Sequence, residues 1–425
     1  MRTEIIAVGS ELLTPFFQDT NSLFLTERLN DLGLGVSFKT LVGDDERDLL
    51  RAIRTALGRA RLVIAMGGLG PTEDDRTRAC VAKALGRELV PDPAVLAAIR
   101  KRFRRRGLPM TASNRKQALV IQGAEVLENP NGTAPGLWIE TTRHKIVLLP
   151  GPPHELKPMF DKQVRPRLAA VGRGVTLRRT LRLTGLGESM MESLIKDLYG
   201  QVPAGIAVTT LAGPGDLSIH LTYQGPGPAT PASGLLDGIQ AAFARRLGQW
   251  VYSADGQSLE AVVGALLTRR RKTLACAESC TGGLIGHRLT NVPGSSHYFL
   301  ESAVVYGNRA KTRRLGVAPA LIEKHGAVSA PVARAMAAGI RRTAAADYGL
   351  AVTGIAGPGG GTKRKPVGLV YTALAGPRGV SVERNLFWGA REQVKFLSSQ
   401  RALDMLRKEL IKRAENKYNR SGRTR

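Results

Sequence analysis

The chain is poor in cysteine, aromatics, acid and long apolar runs. Its 425 residues hold 3 cysteines, Cys80, Cys276 and Cys280. Three cysteines exclude a disulfide framework, and without a neighbouring His/Cys cluster they make no zinc site. The chemistry of Cys276 and Cys280, four apart, is read as two small buried thiols rather than a redox pair. This usage predicts a reducing, cytoplasmic setting. Aromatics at 5% argue against a platform that stacks single-stranded bases. No apolar run reaches the ~18–20 residues of a membrane span. The opening MRTEIIAVGSELL has an acid at position 4 and no apolar signal region, so neither a membrane nor a secretory role is expected.

What is present suits globular domains. Hydrophobic residues make up 43% and charged residues 23%, close to the soluble average. The length suggests two or three domains. The 48 glycines predict many tight turns. The 62 Lys+Arg against 35 Asp+Glu give a net charge of +27, unevenly spread. Residues 1–170 carry net +7, 171–255 net +1 and 256–425 net +19. A segment that basic suits nucleic acid or small anionic nucleotides, and composition leaves both open. The run Lys101-Arg102-Phe103-Arg104-Arg105-Arg106 reads as the solvated end of a helix.

The hydrophobic pattern divides the chain. In residues 1–170 short apolar runs (3–8, 35–42, 62–66, 145–149) alternate with helical spacing at 20–32 and 45–57. This predicts an α/β unit wound around a mostly parallel sheet. Residues 171–255 instead alternate apolar and polar at 177–183 and 217–223, with a helix at 190–198 and a Pro/Gly/Ser loop at 224–234, so a small α+β unit is expected. From residue 256 strand–helix alternation resumes to a closing helix at 393–409. A frayed basic tail is expected at 416–425.

Two clusters carry chemistry. The first is Gly67-Gly68-Leu69-Gly70-Pro71-Thr72-Glu73-Asp74-Asp75, directly after an apolar strand. Such turns let backbone N–H groups approach a phosphate, and acids beyond them can hold a divalent cation. Gly43-Asp44-Asp45 offers a second acidic pair at the same sheet edge, where ligands of wound sheets sit. The plain alternative is a tight turn with Asp44 and Asp74 as helix caps. The second cluster is Ala277-Glu278-Ser279-Cys280-Thr281-Gly282-Gly283, then Ser295-Ser296, Tyr306 and Lys311. A serine becomes a nucleophile only with a base nearby, and a lysine of lowered pKa can serve.

These strings, with Ala7-Val8-Gly9-Ser10-Glu11-Leu12-Leu13, Leu149-Pro150-Gly151-Pro152-Pro153 and Val352-Thr353-Gly354-Ile355-Ala356-Gly357-Pro358, resemble the full-length CinA family. The resemblance implies three parts: a molybdopterin-binding-like domain at 1–170, a K homology-like unit at 171–255, and an amidohydrolase domain at 256–415. The implied fold is two doubly wound α/β domains joined by a small α+β unit. The implied activity is hydrolysis of the carboxamide of nicotinamide mononucleotide to nicotinate mononucleotide and ammonia, with no cofactor. The implied catalytic residues are Ser296 as nucleophile, Lys311 as base, Tyr306 beside the lysine or the oxyanion, and Ser279 orienting. Exchange of the two serine roles is the open alternative.

The implied substrate contacts are Thr353, Gly354, Ala356, Gly357 and Arg391. For the first domain the resemblance implies a metal-dependent ADP-ribose pyrophosphatase, with Gly67, Gly68 and Gly70 on the substrate and Asp44 and Asp75 on a divalent metal, a monovalent cation accompanying it in some readings. A cytoplasmic homodimer is implied. Three departures stand out. Thr14-Pro15-Phe16-Phe17-Gln18 replaces a glycine-containing segment. Gly389-Ala390-Arg391 replaces Gly-Asp-Arg. Gly185-Leu186-Gly187-Glu188 lacks the GxxG clamp of nucleic-acid-binding K homology domains. Two alternatives remain: only the first domain is active, or the chain is a competence-linked nucleic-acid-binding accessory protein.

Overall fold

A computed structural model describes residues 1–169, 174–226 and 229–421. Packing divides the chain into two compact units. The first takes residues 1–177 and 223–232, the second 178–222 and 233–425. The middle segment, set apart by its sequence pattern, is thus mostly packed into the same unit as the third.

In the first unit the elements run β1 (Thr3–Val8), α1 (Asn21–Asp31), β2 (Val36–Val42), α2 (Glu46–Arg59), β3 (Leu62–Met66), α3 (Thr77–Leu85) and β4 (Leu89–Pro91). They continue α4 (Pro93–Arg105), β5 (Leu119–Ile121), β6 (Glu125–Leu127), β7 (Gly136–Glu140), β8 (Lys145–Leu149), α5 (Pro153–Met159) and α6 (Arg165–Ala169). The main sheet has the order β2-β1-β3-β8-β7-β6. Its first four strands are parallel, and β7 and β6 return antiparallel. All six residues of β1 are buried. Ile6 and Val8 enter one hydrophobic core and Ile5 and Ala7 the other. Helices therefore cover both faces, which is why β1 reads as a continuous apolar run. Asp45, not Asp44, caps α2, accepting from the N–H groups of Arg47 and Asp48. The start of α3 has no side-chain cap, so Asp74 does not act as one.

The second unit opens with a four-stranded sheet. Its elements are β9 (Gly174–Leu183), α7 (Glu188–Ile195), β10 (Ile206–Gly213), β11 (Asp216–Pro226), α8 (Ala229–Leu247) and β12 (Val251–Ser253), in the strand order β10-β11-β9-β12. The stretch expected to be a loop at 224–234 is instead the end of β11 and the start of the 19-residue α8. A proline is tolerated in a first helical turn, so Pro231 does not break it. Residues 227–228 of that stretch lie outside the described residues.

Then follow α9 (Leu259–Arg270), β13 (Leu274–Glu278), α10 (Leu284–Thr290), β14 (Phe299–Val304), α11 (Asn308–Leu315), α12 (Pro319–His325) and α13 (Ala330–Thr343). The last elements are β15 (Tyr348–Gly354), β16 (Leu369–Gly376), β17 (Gly379–Leu386) and α14 (Arg391–Ser421). The tail expected to fray from 416 continues as helix to Ser421; residues 422–425 are outside the described part. The five-stranded sheet has the order β14-β13-β15-β16-β17. The first three strands are parallel and the last two antiparallel. The two-residue turn Pro377-Arg378 between β16 and β17 leaves no room for a crossover helix, so that half of the sheet must reverse direction. Along β13, Leu274 and Cys276 face one core, Ala275 and Ala277 the other. All three cysteines are free and buried.

Candidate active site

The carboxyl ends of β14, β13 and β15 converge. The register pairs Glu278 with Val304 on one side and Val352 on the other. Beyond the strands, the Val305 N–H donates to Glu278 O at 2.8 Å and the Ser279 N–H to Val352 O at 3.0 Å. Ser279, Val305-Tyr306 and Thr353 therefore meet at one edge, the usual ligand position in sheets of this kind.

Lys311, on the first turns of α11, reaches back into this edge and is 1% exposed. Its Nζ lies 3.0 Å from Val305 O, 2.9 Å from Tyr306 O and 3.2 Å from Ser279 Oγ. Burial pushes the lysine pKa down from its ordinary value, because a desolvated ammonium is disfavoured. Its three N–H groups as an ammonium match these three oxygens; as a neutral amine it would keep the two carbonyls and turn its lone pair to the Ser279 hydroxyl, which can donate.

The turn that presents Ser279 is locked from beneath. Glu278 is 0% exposed. Its Oε2 accepts from the N–H groups of Gly283 and Ile285, both at 3.0 Å. Its Oε1 accepts from the Gly286 N–H and the Ser302 hydroxyl, both at 2.8 Å. Gly282 and Gly283 have φ of +63° and +96°, the left-handed region that glycine enters without strain. Farther along α10, Arg288 donates to Glu260, Ser399 and Gln400, tying α10 to α9 and α14. Glu278 was missed by motif reasoning. Its signal was an acid ending an otherwise apolar strand, where burial demands partners.

The other expected residues divide. Ser296 is exposed on a one-turn helix, and its side chain makes no hydrogen bond among the described residues. Lys311 thus lies against Ser279, and Ser296 is exposed, an arrangement that fits the exchanged serine roles. Tyr306 touches the lysine through its backbone carbonyl. Its ring is 62% exposed and its hydroxyl accepts from Arg391 Nη2 at 3.3 Å. Arg391 Nη1 donates to Gly357 O at 2.7 Å, so arginine, tyrosine and glycine-rich loop share one side of the site. Thr353 is buried and its hydroxyl donates to Ala327 O, which anchors the loop. Ala356 and Gly357 are buried, and a side chain on Gly354 would strike Val370. At Ala390 the backbone N–H donates to Gln393 Oε1 at 2.9 Å. Burial raises the Cys280 thiol to about 12, so it is no competing thiolate nucleophile.

In the first unit, Gly67, Gly68 and Gly70 form the turn after β3. A Cβ on Gly67 would sit 2.1 Å from Val8 O, and one on Gly68 2.3 Å from Thr77 Oγ1. Asp44 Oδ2 accepts from the N–H and hydroxyl of Ser10 at 2.8 and 2.7 Å. Asp75 Oδ2 accepts from those of Thr72 at 2.8 and 2.5 Å. Among the described residues no group of three His, Cys, Asp or Glu side chains could hold a metal. Asp44 and Asp75 each keep one carboxylate oxygen free, which fits only a cation that borrows further oxygens from a substrate, as Mg²⁺ does with phosphates. Beside the turn, Arg78 is buried, and its Nη1 has no hydrogen-bond partner. Burial brings its pKa down to about 10, still cationic at neutral pH.

Comparison with known proteins agrees with this layout. Residues 4–170 match the family described as "Probable molybdopterin binding domain", residues 178–253 the "Damage-inducible protein CinA KH domain" and residues 256–410 the "CinA C-terminal domain". A CinA-like protein of Acidobacterium capsulatum is 49% identical over 97% of this chain and 100% of its own length. One of Koribacter versatilis is 47% identical with the same coverage. A third, of Solibacter usitatus, is 45% identical over 96% of this chain and 98% of its own. Identity of this order along nearly the whole of each sequence places the chain in the CinA family.

Proposed function

We propose that the second unit hydrolyses the carboxamide of nicotinamide mononucleotide, with Ser279 as nucleophile and Lys311 as general base. The observation that carries this reading is the buried Lys311 amine on the Ser279 hydroxyl. Ser279 Oγ attacks the amide carbon as its proton passes to Lys311 Nζ. Collapse of the tetrahedral adduct breaks the C–N bond, and Lys311 returns the proton to the departing ammonia. Water then attacks the acyl ester, gives its proton to Lys311, and the serine leaves with that proton. The balance is one amide and one water to one carboxylate and one ammonium. The carbonyls of Val305 and Tyr306 keep the amine aimed through both steps. Glu278 holds the turn and touches no reacting atom. The chemistry of this chain's own groups accounts for each proton transfer.

The test is ammonia release from nicotinamide mononucleotide by the intact chain and by Ser279→Ala, Ser296→Ala and Lys311→Ala. Loss in the first and third with retention in Ser296→Ala supports the reading. Loss in Ser296→Ala with retention in Ser279→Ala restores the other serine as nucleophile.

A second reading concerns the first unit, and Arg78 carries it. A buried cation with a free N–H beside a glycine turn calls for an anion. We infer a pyrophosphate ester such as ADP-ribose as its ligand. Asp44 and Asp75 would hold a divalent cation, which supplies charge neutralisation when bound. Cleavage of ADP-ribose that disappears with chelator and in Arg78→Met supports this reading; cleavage unaffected by Arg78→Met removes its basis.

A further inference from the structure

The proposed substrate ends in a phosphate monoester, and the site as described so far has one cation for it, Arg391. Residues 391 and 395 are one turn apart on α14 and so share a face. That face is fixed by Arg391, which bonds Gly357 and Tyr306. Its charge also acts on the Cys280 thiol. Lys395 is half-buried, and its Nζ comes within 3.9 Å of the position a Cβ on Gly282 would take. It therefore reaches the turn that begins at Ser279. Among the described residues Lys395 makes no hydrogen bond and no ion pair, and Arg391 bonds no carboxylate.

Two like charges four apart on a helix repel one another, and here neither has a counter-ion. We propose that Lys395 is a second phosphate ligand, which with Arg391 makes the site selective for the phosphorylated substrate. A phosphate monoester carries close to two negative charges at neutral pH, matching the pair. Arginine supplies a directional fork and lysine a point charge that follows the phosphate. The small side of the turn at Gly282 leaves room for the lysine to lie against it. This inference rests on the deamidase reading for its substrate, and on the geometry alone for its anion.

The experiment compares kcat/KM for nicotinamide mononucleotide and for the same compound without its phosphate, nicotinamide riboside. Intact chain, Lys395→Ala and Lys395→Arg are measured. The expected result is that the preference for the phosphorylated compound falls about tenfold or more in Lys395→Ala, one lost charge-assisted contact, and is kept in Lys395→Arg. An unchanged preference in Lys395→Ala, or an equal fall for both compounds, overturns the proposal. Calorimetric titration with inorganic phosphate separates it from the deamidase reading. If the intact chain releases no ammonia, but phosphate binds about tenfold more weakly to Lys395→Ala at unchanged melting temperature, the anion site stands and the deamidase reading falls. Equal phosphate affinity in the two chains overturns the anion site.

Discussion

At the scale of the residue, the proposed chemistry rests on Lys311. Its replacement by methionine keeps the packing volume and removes the base, so kcat falls about 10²–10⁴-fold. Its pKa is lowered in the folded chain, so between that value and the ordinary lysine value of about 10.4 the unfolded chain binds the extra proton. Stability then rises with pH across that window, and is flat below it. Urea midpoints of the intact chain minus those of Lys311→Met should show this positive slope; a flat or falling difference contradicts an amine at Ser279. Glu278 is the complementary case. In Glu278→Gln an amide NH₂ faces backbone N–H groups that can only donate, and a charged hydrogen bond of about 1.5–3 kcal/mol is lost. The expected signature is a kcat loss with KM little changed, because the turn shifts Ser279 off the lysine while the substrate contacts of Arg391 stay.

At the scale of the element, the turn between β13 and α10 links the fold to the proposed catalysis. Gly283 sits at φ +96° and donates to Glu278. Alanine there carries left-handed strain of about 1–3 kcal/mol, so Gly283→Ala should lower both melting temperature and kcat. Gly187, at φ −83° before α7 and with open space around it, should accept alanine with neither effect. Elements with both faces or one clear face buried were legible in the sequence: β1, β3 and β8 read as apolar runs, α2 as a periodic helix. α8 was not, because its first two turns carry Pro231, Ser233 and Gly234, which also make loops. β10 was missed because its outer positions are exposed and it lies at a sheet edge.

At the scale of the whole molecule, each compact unit has its own hydrophobic cores. Gly67→Ala would place a Cβ 2.1 Å from Val8 O at φ +95°, an overlap with backbone that cannot rotate away. We expect it to destabilise the first unit by about 2–5 kcal/mol, strain and overpacking together, to abolish ADP-ribose cleavage and to leave ammonia release intact. Loss of both activities in a folded variant would mean that the two are not separable. The net charge of +27 is the ground of the alternative in which the chain binds nucleic acid. Binding of that kind weakens steeply with salt, so an ammonia-release rate that holds through a salt titration separates the two roles.

The alternation of most strands and helices, the buried runs, the two glycine turns and the family itself follow from the sequence, because local periodicity and turn chemistry act over short spans. Which serine meets the lysine does not. Ser279 and Ser296 lie 32 and 15 residues before Lys311, so proximity in the chain alone favours Ser296. Parallel pairing of β13 with β14 and β15 brings the ends of distant strands together, and only that register sets Ser279 against the buried amine and leaves Ser296 in solvent. The same holds for Asp45 as the cap in place of Asp44, whose carboxylate is taken by Ser10 across 34 residues. Contacts between residues far apart in sequence are decided by packing, and packing exists only in the folded chain.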